Sequence, residues 1–483
     1  MRLDGHIDVC EPDRIAGWAR DLDAPDAVLR LQVFSGRTLL GTCHADAARA
    51  DLDAAGVGAH GFGFVPPWKL APGERDGVHL RVEGSDLALF DAYGGPQPNP
   101  FLPPPPPRPA QARFRRCVLH IGTEKTGTTS VQRFLAQNRE ALMAQGVFVP
   151  VSLAPADAEG GLNHSDLAAM SLADWRLDDP LRQARGVTDA AALARFRAQA
   201  AAALASEIAT APEGCTTLLL SSEHCHSRMQ LLHEIAALHG FLAPWVSGFE
   251  VMVYLRPQHE LAMSQHAMQL LAGDLAAEML PHLPYPDDYT GPRVTDPAYF
   301  DYARLLARWA AVFGHEAMRP AIYGAAELRD GDVVTDLFAR LGVDIAGMAR
   351  PPRLAGNISA AAQMFLRAFL AAIAGRDEAA WMTGFVAANL RRSAPGGGVL
   401  PARGRAEAFI GQFAAGNARV REEWFPERPA LFASDFLGLP EAECVPELSA
   451  PEVIALVAGL LQAEARRQGG AESAPGPVGA AGP

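Results

Sequence analysis

The chain has 483 residues, enough for two or three domains with a large core. Its composition, 49% hydrophobic and 20% charged, is that of an ordinary globular protein. A net charge of −13 excludes wholesale binding to nucleic acid or to an anionic membrane, so any anion site must be a local positive pocket in a negative body. The six cysteines, Cys10, Cys43, Cys117, Cys215, Cys225 and Cys444, form no C-x-x-C pair, which argues against a disulfide framework and against a zinc cluster. The opening Met-Arg-Leu-Asp-Gly-His leads into no apolar h-region, and no run of about 18 apolar residues occurs. A cytoplasmic protein without a membrane segment is the expectation.

Residues 1–96 read as a small β domain. Short alternating or apolar runs recur at 6–9, 29–33, 39–42, 62–65, 78–82 and 87–90. Gly, Pro and Asp clusters separate them, which is the sandwich pattern. The stretches Gly-His-Ile-Asp-Val, Ile-Ala-Gly-Trp-Ala-Arg-Asp and Gly-Ala-His-Gly-Phe-Gly-Phe resemble a small β module found in bacterial carbohydrate-active enzymes. Trp18 and Phe62 read as core residues; a Trp18 ring stacking on a sugar face is the other reading. Residues 97–112 carry a proline run, a semi-rigid polyproline II spacer that marks a domain boundary.

From 113 to 467 strands and helices alternate, which predicts a parallel sheet covered on both faces, an α/β fold. Strands are expected at 117–121, 146–150, 217–221, 249–255 and 321–323. Helices are expected from 130, and at 190–208, 229–238, 257–271 and 299–313. The last third, from 358, reads as helical, and 468–483, rich in Gly, Ala and Pro, as a disordered tail.

The densest signal is 117–130, Cys-Val-Leu-His-Ile-Gly-Thr-Glu-Lys-Thr-Gly-Thr-Thr-Ser. An apolar strand stops at Gly122, a hydroxyl-rich turn follows, and Val131, Phe134 and Leu135 begin a helical period. A strand, a small-residue turn and a helix N-terminus make an anion cradle of backbone N–H groups, to which Lys125 adds a full charge. The nucleotide-triphosphatase motif puts lysine after its second glycine. Here lysine comes first. The string resembles the 5′-phosphosulfate-binding loop of sulfotransferases that use 3′-phosphoadenosine 5′-phosphosulfate (PAPS). That resemblance implies a P-loop-like parallel sheet and adenosine 3′,5′-bisphosphate as product, with no metal required. It implies nucleotide contacts from Lys125, Thr126, Gly127, Thr128, Thr129 and Ser130, with Lys125 also acting on the leaving group.

A second signal is Val-Met-Val-Tyr-Leu-Arg-Pro-Gln-His-Glu at 251–260, with Ser264 eight residues after Arg256. Arg256 falls at the carboxyl end of a strand, where ligands collect in open α/β sheets. In sulfotransferases a similar Arg and Ser grip the 3′-phosphate, so Arg256 and Ser264 are candidate nucleotide contacts. Sulfuryl transfer also needs a base for the acceptor hydroxyl. His164, in Gly-Leu-Asn-His-Ser-Asp-Leu, and Glu223, in Ser-Ser-Glu-His-Cys-His, are the two candidates. His224 and His226 flank Cys225 without a complete ligand set for a metal. Asn357 and Ser359 read as a helix cap or as a contact at the nucleotide end. Arg391, Arg392 and Gly396–Gly398 read as a surface loop or as a cover for adenosine. Glu124 departs from the pattern: a carboxylate in an anion loop must turn away from the cradle, to solvent or to the acceptor.

The resemblance implies transfer of a sulfuryl group to a hydroxyl of a small-molecule or saccharide acceptor. A small-molecule P-loop kinase and a non-catalytic glycan-binding protein are the alternative readings. Acceptor identity and oligomeric state are left open by the sequence.

Overall fold

The computed structural model describes residues 3–35, 38–70, 72–75, 77–83, 87–89, 96–98, 112–155, 160–172, 174, 176–229, 232–276, 278–280, 297–351, 357–433, 436–442 and 447–472. In the N-terminal part, alternating residues build strands β1 (Leu3–Glu11), β2 (Arg14–Asp21), β3 (Leu29–Ser35) and β4 (Thr38–Ala45). Helix α1 (Ala50–Ala54), β5 (Gly61–Phe64), helix α2 (Pro72–Arg75), β6 (Val78–Val82), β7 (Leu87–Leu89) and β8 (Pro96–Pro98) follow. Two antiparallel sheets result, in the orders β1-β2-β5 and β4-β3-β6-β7-β8. Period-two side chains point to opposite faces, so each sheet buries one face. Ile7, Ile15, Ala19 and Phe62 of the first sheet share a core with Leu31, Val33, Leu40, Leu80 and Val82 of the second.

Strand β2 lies outside the expected runs, because Gly17 interrupts its apolar alternation. That glycine is required by packing. A Cβ at Gly17 would stand 2.2 Å from the carbonyl oxygen of His6 on β1. Phe62 is a core residue, 3% exposed. Trp18 is half-buried, edge-on to His6 at 5.6 Å, with the Arg20 guanidinium 5.7 Å from its ring centroid. Pairing of β7 with β8 carries the sheet to residue 98. Of the expected spacer, residues 99–111 lie outside the described residues.

The next segment runs β9 (Arg116–His120), α3 (Thr128–Gln137), α4 (Arg139–Ala144), β10 (Val147–Phe148), α5 (Asp166–Ser171), α6 (Pro180–Gln183) and α7 (Ala190–Ala209). It continues with β11 (Thr217–Ser221), α8 (His224–Arg228), α9 (Leu232–Leu242), β12 (Phe249–Leu255) and α10 (Gln258–Leu271). Then come α11 (Pro297–Phe300), α12 (Tyr302–Phe313), β13 (Met318–Ile322) and α13 (Val333–Leu341). The five strands form a parallel sheet in the order β10-β11-β9-β12-β13. Strand β9 is central: the chain runs from it to the edge strand β10 and back to β11 on one side, then crosses to β12 and β13 on the other. This is the topological switch at which α/β sheets open a crevice at their carboxyl ends. The interior strands are buried on both faces, hence runs such as Thr-Leu-Leu-Leu-Ser rather than alternation. Helices α3 and α13 pack on the sheet, with Phe134 and Phe338 rings 5.0 Å apart.

The remaining helices are α14 (Ala360–Ile373), α15 (Ala379–Ser393), α16 (Arg403–Gly411), α17 (Ala414–Trp424) and α18 (Ala450–Glu472). The chain divides into two compact units. One comprises Met1–Arg256, Leu283–Pro351 and Phe413–Phe432, and the other Pro257–His282, Pro352–Gln412 and Ala433–Pro483. These do not coincide with the segments read from the sequence. The β domain belongs with the parallel sheet in the first unit, and a polar pin explains why. Glu74 of α2 pairs with the buried Arg304 and Arg308 of α12, the latter at 3.1 Å. The second unit has its own core, including Leu270, Ile358, Leu366, Leu390 and Leu460. Helix α18 extends to Glu472, so 468–472 are helical where the composition suggests a tail, and 473–483 lie outside the described residues. Among the described residues no helix is long and apolar enough to cross a membrane.

Candidate active site

The candidate site is built from the segments that leave β9, β11 and β12. Past β9 the chain stays sewn to β12. Ile121 N–H donates to Met252 O at 3.0 Å, and Thr123 donates to Tyr254 O through both its N–H (3.1 Å) and its hydroxyl (3.0 Å). The turn then closes on itself, Thr126 Oγ1 donating to Thr123 O at 2.6 Å. Lys125 sits at φ 61°, the left-handed region. For a non-glycine residue that costs about 1–2 kcal/mol, and such strain concentrates at ligand sites. Gly127 caps α3, and the first helical bonds are donated by Ser130 and Val131 to Gly127 O. Helix geometry therefore leaves the N–H groups of the first α3 residues outside its own bonding. With Lys125 and the hydroxyls of Thr128, Thr129 and Ser130, this donor set fits a phosphate or sulfate group. The Thr126 hydroxyl itself is engaged within the turn.

Arg256, just past β12, is brought to this loop. Its Nη1 donates to Lys125 O at 3.0 Å, and its guanidinium lies 5.6 Å from the Tyr323 ring centroid. The Tyr302 hydroxyl donates to Arg256 O. One of the five guanidinium donors thus braces the loop. Ser264 lies half-buried on α10, in the second compact unit.

Glu223 follows β11 and is half-buried. Its carboxylate accepts from Gln132 Nε2 at 2.5 Å and from Asn163 Nδ2 at 3.0 Å. Gly122 stands between it and Glu124. A Cβ there would lie 3.2 Å from Glu223 Cβ and 3.1 Å from Glu124 N, and φ is 98°. Glu124 turns to the side of the loop and accepts the Tyr299 hydroxyl at 2.6 Å. Burial pulls its pKa up, but the Tyr299 and Ser227 hydroxyls and the nearby His226 and His224 outweigh this and hold it below the usual carboxylate range. The Tyr299 phenol is pushed well up by burial and by the Glu124 charge. His226 is buried behind them, with Nε2 donating to Tyr299 O at 3.0 Å and Nδ1 facing Glu124 N–H at 3.4 Å.

His164 is corrected as a candidate base. It is fully buried, and both ring nitrogens are taken by backbone. Nδ1 accepts Ser221 N–H at 3.0 Å and Nε2 donates to Pro150 O at 2.8 Å. Burial holds its pKa down. No lone pair remains for proton abstraction, and the ring instead ties the edge loop to β11. Asn357 and Ser359 serve as local fasteners in the second unit. Ser359 Oγ accepts Ala362 N–H, and Asn357 Oδ1 accepts Ile358 N–H and Gln363 Nε2. Val399 N–H is fastened to Gln363 Oε1, and Arg392 to Asn389, so this loop is bonded to its own helices. Among the described residues no group of three or more His, Cys, Asp or Glu could hold a metal ion.

Sequence reading gave no role to Gln132, Asn163, Tyr299 and Tyr302, and weighed His226 only as a metal ligand. Gln132 alone left a trace, a polar residue on the buried face of α3 between Val131 and Leu135.

Two buried histidines give the protein a pH signature. Burial lowers His79 of β6 and His120 of β9 to about 4. In the unfolded chain each titrates near 6.5, so below that pH the unfolded state binds more protons. Stability should therefore fall as pH drops from about 6.5 towards 4, by on the order of 3 kcal/mol per histidine over the full window. Urea unfolding at pH 7 and pH 5 checks this; equal free energies at the two values would refute it.

No family model matches the chain, and no curated protein matches it. Among solved structures, it is similar to the crystal structure of a sulfotransferase from Alicyclobacillus acidocaldarius, with 15% identity and a TM-score of 0.30, over 56% of this chain and 95% of that one.

Proposed function

We propose that the protein is a sulfotransferase that moves a sulfuryl group from PAPS to a hydroxyl of a small-molecule or saccharide acceptor. The observation that carries this reading is the loop 122–130. It joins a strained, half-buried Lys125 to the N-terminus of α3, with Arg256 bonded to the carbonyl of that same lysine. When bound, the nucleotide supplies an activated sulfuryl group and a phosphate as leaving group. Lys125 and the α3 amides take up the negative charge released on the phosphate, as preorganised donors do in phosphoryl transfer. Glu223 takes the acceptor's hydroxyl proton while the acceptor oxygen bonds to sulfur and the sulfur–phosphate oxygen bond breaks. Gln132 and Asn163 hold the carboxylate in place for this. Glu124, turned to Tyr299, keeps its charge out of the anion cradle.

Binding without turnover tests the reading cheaply. Adenosine 3′,5′-bisphosphate at a hundred times its Kd should stabilise the chain by about 2.7 kcal/mol, seen as a rise in Tm. ATP with magnesium should give a smaller shift. A response to ATP and magnesium alone would favour a P-loop kinase and remove the proposal's main support.

A further inference from the structure

Two hydroxyls from one short segment brace the loop 122–130. Tyr299 of α11 donates to Glu124 at 2.6 Å, and Tyr302, at the start of α12, donates to Arg256 O. Arg256 in turn holds the Lys125 carbonyl at 3.0 Å. Both tyrosines are buried. Lys125 lies at φ 61°, and a backbone so placed persists only where its surroundings over-determine it. The contacts on Glu124 and Arg256 supply part of that restraint from outside the loop.

The same segment is held by the N-terminal β domain. Asp301 caps α12, its Oδ1 accepting Arg304 N–H at 3.0 Å. Arg304 and Arg308 are 2% and 5% exposed, and Glu74 Oε1 of α2 accepts from both. Guanidinium charges this deep require a compensating carboxylate, and the β domain provides one. The Arg304 guanidinium also lies 5.9 Å from the Trp68 ring centroid, and Ala307 packs against the β-domain core. Arg419 of α17, a helix that packs on α12, donates to Leu40 O at 3.1 Å. The β domain therefore grips α12 by charge, by apolar packing and through a neighbouring helix.

We propose that the N-terminal β domain is a working part of the nucleotide site: Glu74 acts through α12 as a positioning residue, keeping Tyr302 on Arg256 and so holding the strained Lys125 turn ready for its anion. The inference rests on the sulfotransferase reading and gives the β domain a role in it. No proton or group moves along this route. Its contribution is preorganisation: a loop already in its bound shape loses less freedom when the ligand arrives.

The test measures the Kd of adenosine 3′,5′-bisphosphate for the full chain by calorimetry, well below the Tm of every variant. Tyr302→Phe deletes one hydroxyl and should weaken binding about tenfold, the worth of one hydrogen bond. Glu74→Gln keeps the shape, removes the charge and should weaken binding by a similar factor, although the residue belongs to the β domain. The double variant should also lose about tenfold and not a hundredfold, because both changes release the same contact. Ile15→Val is the control: it thins the β-domain core and should lower Tm while leaving the Kd as in the wild type. If Glu74→Gln does not fold, Arg308→Lys replaces it in the cycle, since an ammonium keeps the charge but not the guanidinium fork. Wild-type affinity in folded Tyr302→Phe or Glu74→Gln, a hundredfold loss in the double variant, or an equal loss in Ile15→Val would each overturn the inference. Failure of the bisphosphate to bind the wild type strikes the sulfotransferase reading instead. Positioning of the loop is then read on the free chain, as amide exchange at 124–130 that speeds up in Glu74→Gln and not in Ile15→Val; equal rates in the two variants would overturn it.

Discussion

Lys125→Ala should lower adenosine 3′,5′-bisphosphate release from PAPS about a thousandfold, measured with any acceptor that the wild type uses. The lysine is the full charge in a cradle otherwise made of partial charges from α3, and negative charge develops there only as the sulfur–oxygen bond breaks. Removing it should therefore act on kcat more than on nucleotide affinity. Backbone strain offers a rival cause of lost activity, because Lys125 lies at φ 61° and alanine keeps that strain. Lys125→Gly separates the two. Glycine suits a positive φ, so this variant should match or exceed the wild type in Tm and yet be as inactive as Lys125→Ala. A Lys125→Gly enzyme with near wild-type kcat would show that the charge has no part in the reaction.

Glu223→Gln is expected to reduce kcat by about a hundred- to ten-thousandfold, the range for loss of a general base. Glutamine keeps the shape and an acceptor oxygen for Gln132 or Asn163, so Tm should change little. His164→Ala supplies the contrast. His164→Ala strips partners from Ser221 N–H and Pro150 O, each worth about 1–3 kcal/mol when left unpaired in the interior. That variant should unfold more easily while each folded molecule keeps its rate. Slow turnover in a folded His164→Ala, with full rate in Glu223→Gln, would exchange the roles of the two residues.

The reach of sequence reading can be followed residue by residue. Strands 217–221 and 249–255 were legible because interior parallel strands are continuous apolar runs, and both were found at those bounds. The turn after β9 was legible because glycine ends the apolar strand and a helical period begins a few residues later. His164 misled because a histidine in a loop between a strand and a helix looks exposed. Its burial depends on Pro150 and on Ser221, which lies 57 residues further along the chain. The bond from the Thr126 hydroxyl back to Thr123 O was not legible, because it depends on how the turn closes.

Local order in this protein, its strands, helix starts and the turn after β9, follows from propensities and periods that act over a few residues, and the amino-acid order alone determines them. The partners of Glu124 and Glu223, the burial of His164, and the pin from Glu74 to α12 were decided only when distant segments packed. Tyr299 is 175 residues from Glu124, and Arg304 is 230 from Glu74. A polar side chain declares its solvation requirement in the sequence, but which group meets that requirement depends on what the folded chain brings within about 3 Å of it.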